Sequence, residues 1–182
     1  MQVCELVPQP LIERLLETAC SKGGTFADVY IEYTRGNSIA LEEHKIRSAS
    51  HAVALGVGIR VIHGQEVGYA YCEDLEPSAL LQTALVAAAI ASGGSSERSI
   101  RVSPREIPNH SMVPIIPNDV PVKDKIDLLV RAEAAAHTDA RITQVMGAFV
   151  DQTKEIVIAT SDGTLATDRL VMCRLSFTAI AS

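Results

Sequence analysis

Hydrophobic positions change period along this chain. Leu11, Ile12, Leu15, Leu16 and Ala19 share one helical face, which predicts an amphipathic helix from about Pro10 to Lys22. Pro10 suits a first helical turn, and Gly23-Gly24 suits its end. Period two follows: Val29, Ile31 and Tyr33 alternate with Asp28, Tyr30 and Glu32. A turn is expected at Arg35-Gly36-Asn37, then a strand through Ile39 and Leu41. A third strand, around Ile46, leads into Ala52 to Ile62. There Val53, Leu55, Val57, Ile59 and Val61 form one face and Ala52, Ala54, Gly56 and Gly58 a small-residue face. His63-Gly64-Gln65 turns the chain into a last strand, Val67 to Cys72. A second helix, about Pro77 to Ser92, carries Leu81, Ala84, Leu85 and Ala88 as its apolar stripe. Its alanines permit close packing on a sheet, with the Gly56/Gly58 face as the expected partner.

Prolines at 104, 108, 114, 117 and 121 block helix interiors and central strands, so 103–121 reads as a linker or surface strap. A third helix to about His137 uses Val122, Ile126, Leu129 and Val130. Strands are then expected at Ile142 to Val150, Glu155 to Thr160 and Arg169 to Ile180, with a turn at Ser161-Asp162-Gly163. Val29 and Val145, Ile39 and Ile156, Leu41 and Ile158, and Ile59 and Phe177 recur at an offset of about 117 residues. Either a structural duplication or chance likeness between two similar units accounts for this. The expected fold class is α+β: two helix-plus-antiparallel-sheet units joined by a Pro-rich segment. The expected domains are an amino-terminal helix/meander/helix unit (1–102), a linker (103–121) and a second helix-plus-strands unit (122–182) that reads as truncated.

Composition narrows the function. Hydrophobic residues are 47% and charged residues 21% of the chain, as in globular domains, while aromatics are only 4% and Trp is absent. Aliphatic side chains and alanine must therefore fill the core. A net charge of −6 without a basic cluster argues against a nucleic-acid surface; Lys45-Ile46-Arg47 reads as a solvated strand edge. Cys4, Cys20, Cys72 and Cys173 form no CxxC pair and are expected to be reduced. No signal peptide or bilayer-spanning stretch is expected, so the chain reads as cytoplasmic, with no membrane partner.

Catalytic motifs are missing. Gly56-Val57-Gly58 is followed by Val61 and another strand, which excludes a dinucleotide fingerprint. His44, His51, His63, His110 and His137 stand in no HExxH or HExxxH arrangement, and there is no GxSxG elbow. His44, His51 and His63 lie near expected strand ends, where they could converge, but read as turn histidines. Glu42-Glu43 and Asp162-Gly163 read as a hairpin end and a turn. No catalytic, cofactor-binding or metal residue is assigned, and the residues alone describe a binding or scaffold domain.

Six runs nevertheless recur in a familiar order: Ala27-Asp28-Val29-Tyr30, Leu41-Glu42-Glu43-His44-Lys45-Ile46, Gly56-Val57-Gly58-Ile59-Arg60-Val61, Gly68-Tyr69-Ala70-Tyr71, Lys125-Ile126-Asp127-Leu128-Leu129 and Ser161-Asp162-Gly163-Thr164-Leu165-Ala166. In this order the chain resembles the TldD/PmbA family, also called modulator of DNA gyrase, and in particular its TldD-type zinc metallopeptidases. The resemblance implies a longer polypeptide whose carboxy-terminal part binds zinc through a HExxxH helix and a distant cysteine. Zinc is thus expected only there, with no cofactor in this chain, which alone is expected to be inactive. The resemblance further implies a homodimer or heterodimer with a TldD/PmbA-type subunit, unfolded peptide as substrate, and a role here in shaping the peptide chamber and the dimer. The alternative is a stand-alone interaction module that binds a full-length partner without catalysis.

Overall fold

In the computed structural model, residues 6–108 and 113–182 are described. Cys4 and His110 lie outside them. The elements are α1 (Gln9–Cys20), β1 (Phe26–Glu42), β2 (Lys45–His63), β3 (Glu66–Cys72), α2 (Pro77–Ile90), β4 (Ser103–Pro104), a 3-10 turn (Pro117–Asp119), α3 (Val122–Ala136), β5 (Ile142–Thr160) and β6 (Thr164–Ala181). The strands form one mixed six-stranded sheet in the order β3-β2-β1-β5-β6-β4, which makes the fold α+β. A helix followed by two long strands occurs twice, as α1-β1-β2 and α3-β5-β6.

Two expected strand breaks are absent. Arg35-Gly36-Asn37 does not turn the chain: β1 runs unbroken for 17 residues. Residues 150–155 do not separate two strands either, because β5 runs unbroken for 19. In β5 the inward positions simply change from apolar to polar. Val145, Phe149, Asp151, Thr153, Glu155, Val157 and Ala159 are all buried at period two. The expected turns at Gly64 and Gly163 do form, each glycine with positive φ. Within the Pro-rich segment, Ser103-Pro104 pairs in parallel with Thr164-Leu165, an edge position that tolerates proline's missing N–H.

By compactness the chain divides into two units whose segments interleave, since the long strands pass through both. The first unit comprises 1–33, 54–109 and 155–169. Its core joins Ile12, Leu15, Leu16 and Ala19 of α1 to Val29 and Ile31 of β1, Val57, Ile59 and Val61 of β2, and Ala84 and Ala87 of α2. All four tyrosines of the chain, Tyr30, Tyr33, Tyr69 and Tyr71, belong to this unit.

The expected partner of α2 is corrected. Register places Ile59 beside Ala70 and Val61 beside Gly68, so the small residues facing the helix lie on β3. A Cβ on Gly68 would sit 2.1 Å from the Ala87 carbonyl oxygen. Gly56 and Gly58 instead lie beneath the rings of Tyr71 and Tyr69. The stripe on α2 shifts accordingly: Leu80, Thr83, Ala84, Ala87 and Ala88 are buried while Leu85 is exposed. Backbone approach at Gly68 demands alanine opposite it, and that requirement outranks side-chain hydrophobicity.

The second unit comprises 34–53, 110–154 and 170–182. Its apolar core is small: Ile39, Leu41, Leu129 and Phe149, with Ile126 and Phe177 packed against them. On α3, Val122 and Val130 are exposed, contrary to expectation, and the buried stripe is Lys125, Leu129 and Glu133.

Two outcomes follow for the first unit. Gly68→Ala should destabilise by about 1–3 kcal/mol, because its methyl meets a main-chain carbonyl that cannot swing aside. Gly58→Ala should cost less, since it meets the exposed Tyr69 side chain; urea melts followed by circular dichroism rank the two. Glu13 supplies a pH dependence. Its carboxylate accepts from Gln9 Nε2, the Val102 N–H and Arg101, and these contacts, Gln9 first, hold its pKa below the ordinary glutamate value. The stabilisation is therefore full above the unfolded glutamate pKa and is lost as pH falls through the lower folded one. Glu13→Gln should flatten the acid limb of a melting-temperature profile; an unchanged limb would assign acid sensitivity elsewhere.

Candidate functional site

The features that could carry chemistry lie in the second unit and begin with the stripe on α3. Lys125, Leu129 and Glu133 recur every four residues, so one helix face presents a cation, an apolar side chain and an anion to the interior. Each charge finds a dedicated partner. Lys125 Nζ lies 2.7 Å from Asp151 Oδ2 on β5 and 5.9 Å from the centre of the Phe149 ring. Asp151 Oδ1 accepts from Asn37 Nδ2 at 2.9 Å and Asn118 Nδ2 at 2.8 Å. Thr153 completes the cluster by donating to Asn118 Oδ1. The Lys125 ammonium and both Asp151 oxygens thus have hydrogen-bond partners, which is what such a pair needs to offset its desolvation.

At the other end of the stripe, buried Glu133 meets the two-residue turn between β1 and β2. Its Oε1 accepts the His44 backbone N–H at 2.8 Å, and its Oε2 lies 3.1 Å from His44 Nδ1. His137, which caps the carboxy-terminal end of α3 one turn beyond Glu133, stacks at a tilt on His44 with ring centres 5.1 Å apart. One ligand atom from each of His44, Glu133 and His137 lies within 4.8 Å of the others. The turn residues Glu43 and His44 have φ of 49° and 62°, the only positive values among described non-glycine residues. Such a turn favours Asn-Gly, so Glu and His there carry a backbone cost that Glu133 helps to offset.

A groove of about 890 Å³ crosses the same unit, lined by Gly36 to Ser38 of β1, Ser50 and Ala52 of β2, 150–152 of β5 and Val171 to Arg174 of β6. Cys173 lies on its wall. Partial burial first, then the Asp151 carboxylate, push its thiol above the ordinary range while Lys125 opposes them, so little thiolate is present at neutral pH. In the first unit, burial likewise raises Cys20. Neither thiol is an activated nucleophile.

The expected turn histidines meet three different partners. His51 Nδ1 lies 2.9 Å from Asn37 Oδ1, and His63 Nδ1–H donates to the Gly23 carbonyl at 2.7 Å. Only His44 joins a second histidine, His137, whose place in a cluster sequence reasoning missed. One signal was available: Ala132-Glu133-Ala134-Ala135-Ala136-His137 has the last two of the three HExxxH side chains, with Ala132 at the first.

Comparison with known proteins gives these features a family. Residues 27–91 match the PmbA/TldA metallopeptidase domain 1, and residues 115–182 match the PmbA/TldA metallopeptidase central domain. A metalloprotease TldD homolog of Haemophilus influenzae is 29% identical over 161 residues, covering 85% of this chain and 33% of that protein. A metalloprotease of Methanothermobacter thermautotrophicus is 29% identical over 160 residues, covering 86% of this chain and 34% of that protein. The chain spans about a third of the length of the curated relatives it matches. Among solved structures, one from Thermotoga maritima, named as a modulator of a DNA gyrase, shares the fold with a TM-score of 0.75 at 20% identity, covering 95% of this chain and 40% of its own. TldE from Thermococcus kodakarensis does so with a TM-score of 0.67 at 17% identity, covering 94% and 43%. The chain belongs to the PmbA/TldD metallopeptidase family.

The buried pair makes a direct test of the second unit. Lys125→Met should destabilise by about 3–5 kcal/mol, because Asp151 is left charged and buried. Adding Asp151→Leu to that variant should recover part of the loss, read as the urea midpoint by circular dichroism.

Proposed function

We propose that this chain is a non-catalytic portion of a TldD-type metallopeptidase, shaping the chamber that holds an unfolded peptide and contributing to a dimer with a TldD/PmbA-type subunit. The observation that carries the reading is the pairing of two family domains, first and central, with a sequence containing no HExxxH. Hydrolysis by this family's chemistry needs a metal-bound water and a glutamate base, and the family's zinc set has no counterpart among these residues. The raised thiols of Cys20 and Cys173 supply no alternative nucleophile.

Two features support the peptide and dimer roles. The groove offers backbone, hydroxyl and apolar groups together, which suits a ligand recognised by its main chain. Among the described residues, strand β6 pairs with β4 only through Thr164 and Leu165, and Leu170, Met172, Leu175 and Ile180 are exposed further along it. A long edge carrying such side chains is a ready surface for association.

The purified chain, incubated with zinc and an unfolded fluorescent casein, should produce no cleavage. It should nevertheless self-associate, or form a complex with an added family subunit, in light scattering across a dilution series. Peptide release by the chain alone would overturn the non-catalytic assignment. A monodisperse monomer that ignores the added subunit would overturn the association role.

A further inference from the structure

We infer that His44, Glu133 and His137 form a binding site for a borderline divalent cation, Zn²⁺ foremost, which clamps the β1–β2 turn to the end of α3. The site is distinct from any HExxxH centre: Ala132 stands where that motif needs its first imidazole, and the missing ring comes from the turn. Two imidazoles and a carboxylate suit Zn²⁺, leaving a fourth position to water.

Geometry and charge both favour this ion. Ligands held about 2.0–2.1 Å from a tetrahedral zinc lie about 3.3 Å from one another. His44 Nδ1 and Glu133 Oε2 already stand 3.1 Å apart, so an ion can replace the proton between them with little movement. The third ligand atom is within 4.8 Å, and the His44 side chain, 70% exposed, has room to turn inward. Glu133 is 1% exposed, and no Lys or Arg forms a salt bridge with it among the described residues. A buried carboxylate calls for a positive partner, and a divalent cation held between Glu133 and the two imidazoles supplies one. Its other oxygen is held by the His44 N–H, which fixes the carboxylate's orientation as metal sites require. The left-handed backbone at Glu43 and His44 has a purpose on this account, since it turns the His44 N–H and ring toward the same glutamate.

The test uses the whole 182-residue chain, freed of metal by chelator and desalted. Equilibrium dialysis against Zn²⁺ should show one ion per chain, and Co²⁺ should give the visible bands of a four-coordinate site. His44→Asn, which keeps a residue tolerant of the left-handed turn, and His137→Ala should each weaken Zn²⁺ binding by about tenfold or more. His51→Ala, altered at a histidine outside the cluster, should bind as the parent does. Zinc should also raise the melting temperature of the parent and not of the two cluster variants; circular dichroism of the metal-free proteins confirms that all are folded. No stoichiometric binding by the parent would overturn the inference. So would binding that survives both cluster substitutions, which would place the ion on the cysteines or the surface.

Discussion

A lysine and an aspartate that share almost no contact with water set the terms for the second unit. Lys125 and Asp151 cannot be buried singly, so α3 must sit where its first inward residue meets the middle of β5. That placement brings Leu129 onto Ile39, Leu41 and Phe149, and carries Glu133 to the β1–β2 turn eight residues along the same face. The apolar core here is small, and polar complementarity supplies the specificity that hydrophobic area alone would leave loose. Asn37 and Asn118 both donate to Asp151 Oδ1, so the middle of β1 and the 3-10 turn of the Pro-rich segment are tied to the same point.

The same cluster explains which parts of the fold were legible in the sequence. Where inward positions are apolar, as at Val29 and Ile31 or Val57, Ile59 and Val61, alternation placed strands and faces correctly. Where the inward positions are Asn37, Asp151 and Thr153, their polarity imitated turns, and single strands were divided in two. These residues face each other, so the misleading signal in β1 and the one in β5 have one origin. On α3 the same substitution of polar for apolar hid the buried stripe: Lys125 and Glu133 look solvated, while the exposed Val122 and Val130 look buried. The α2 stripe was misplaced for another reason, the steric demand at Gly68, which depends on strand register and leaves no trace in a hydrophobicity pattern. Family membership was legible because it rested on ordered short runs and not on the faces of elements.

The candidate site was less visible. Glu133 and His137 at helical spacing form two of the three ligands, and nothing local connects them to His44, 89 residues before Glu133. Long-range placement by a buried salt bridge at the far end of the helix makes that connection. The chemistry of this unit thus depends on packing that involves none of its candidate ligands.

The uneven distribution of aromatic residues has a spectroscopic consequence. With no tryptophan and every tyrosine in the first unit, intrinsic emission excited near the tyrosine band originates from that unit alone. Phe149 and Phe177 of the second unit are weak and easily masked emitters. Loss of the buried charge cluster could proceed with the tyrosine signal unchanged, and a single smooth fluorescence transition would describe half of the molecule. Coincidence of that transition with one seen through the backbone is therefore the measure of whether the two interleaved units melt as one cooperative body.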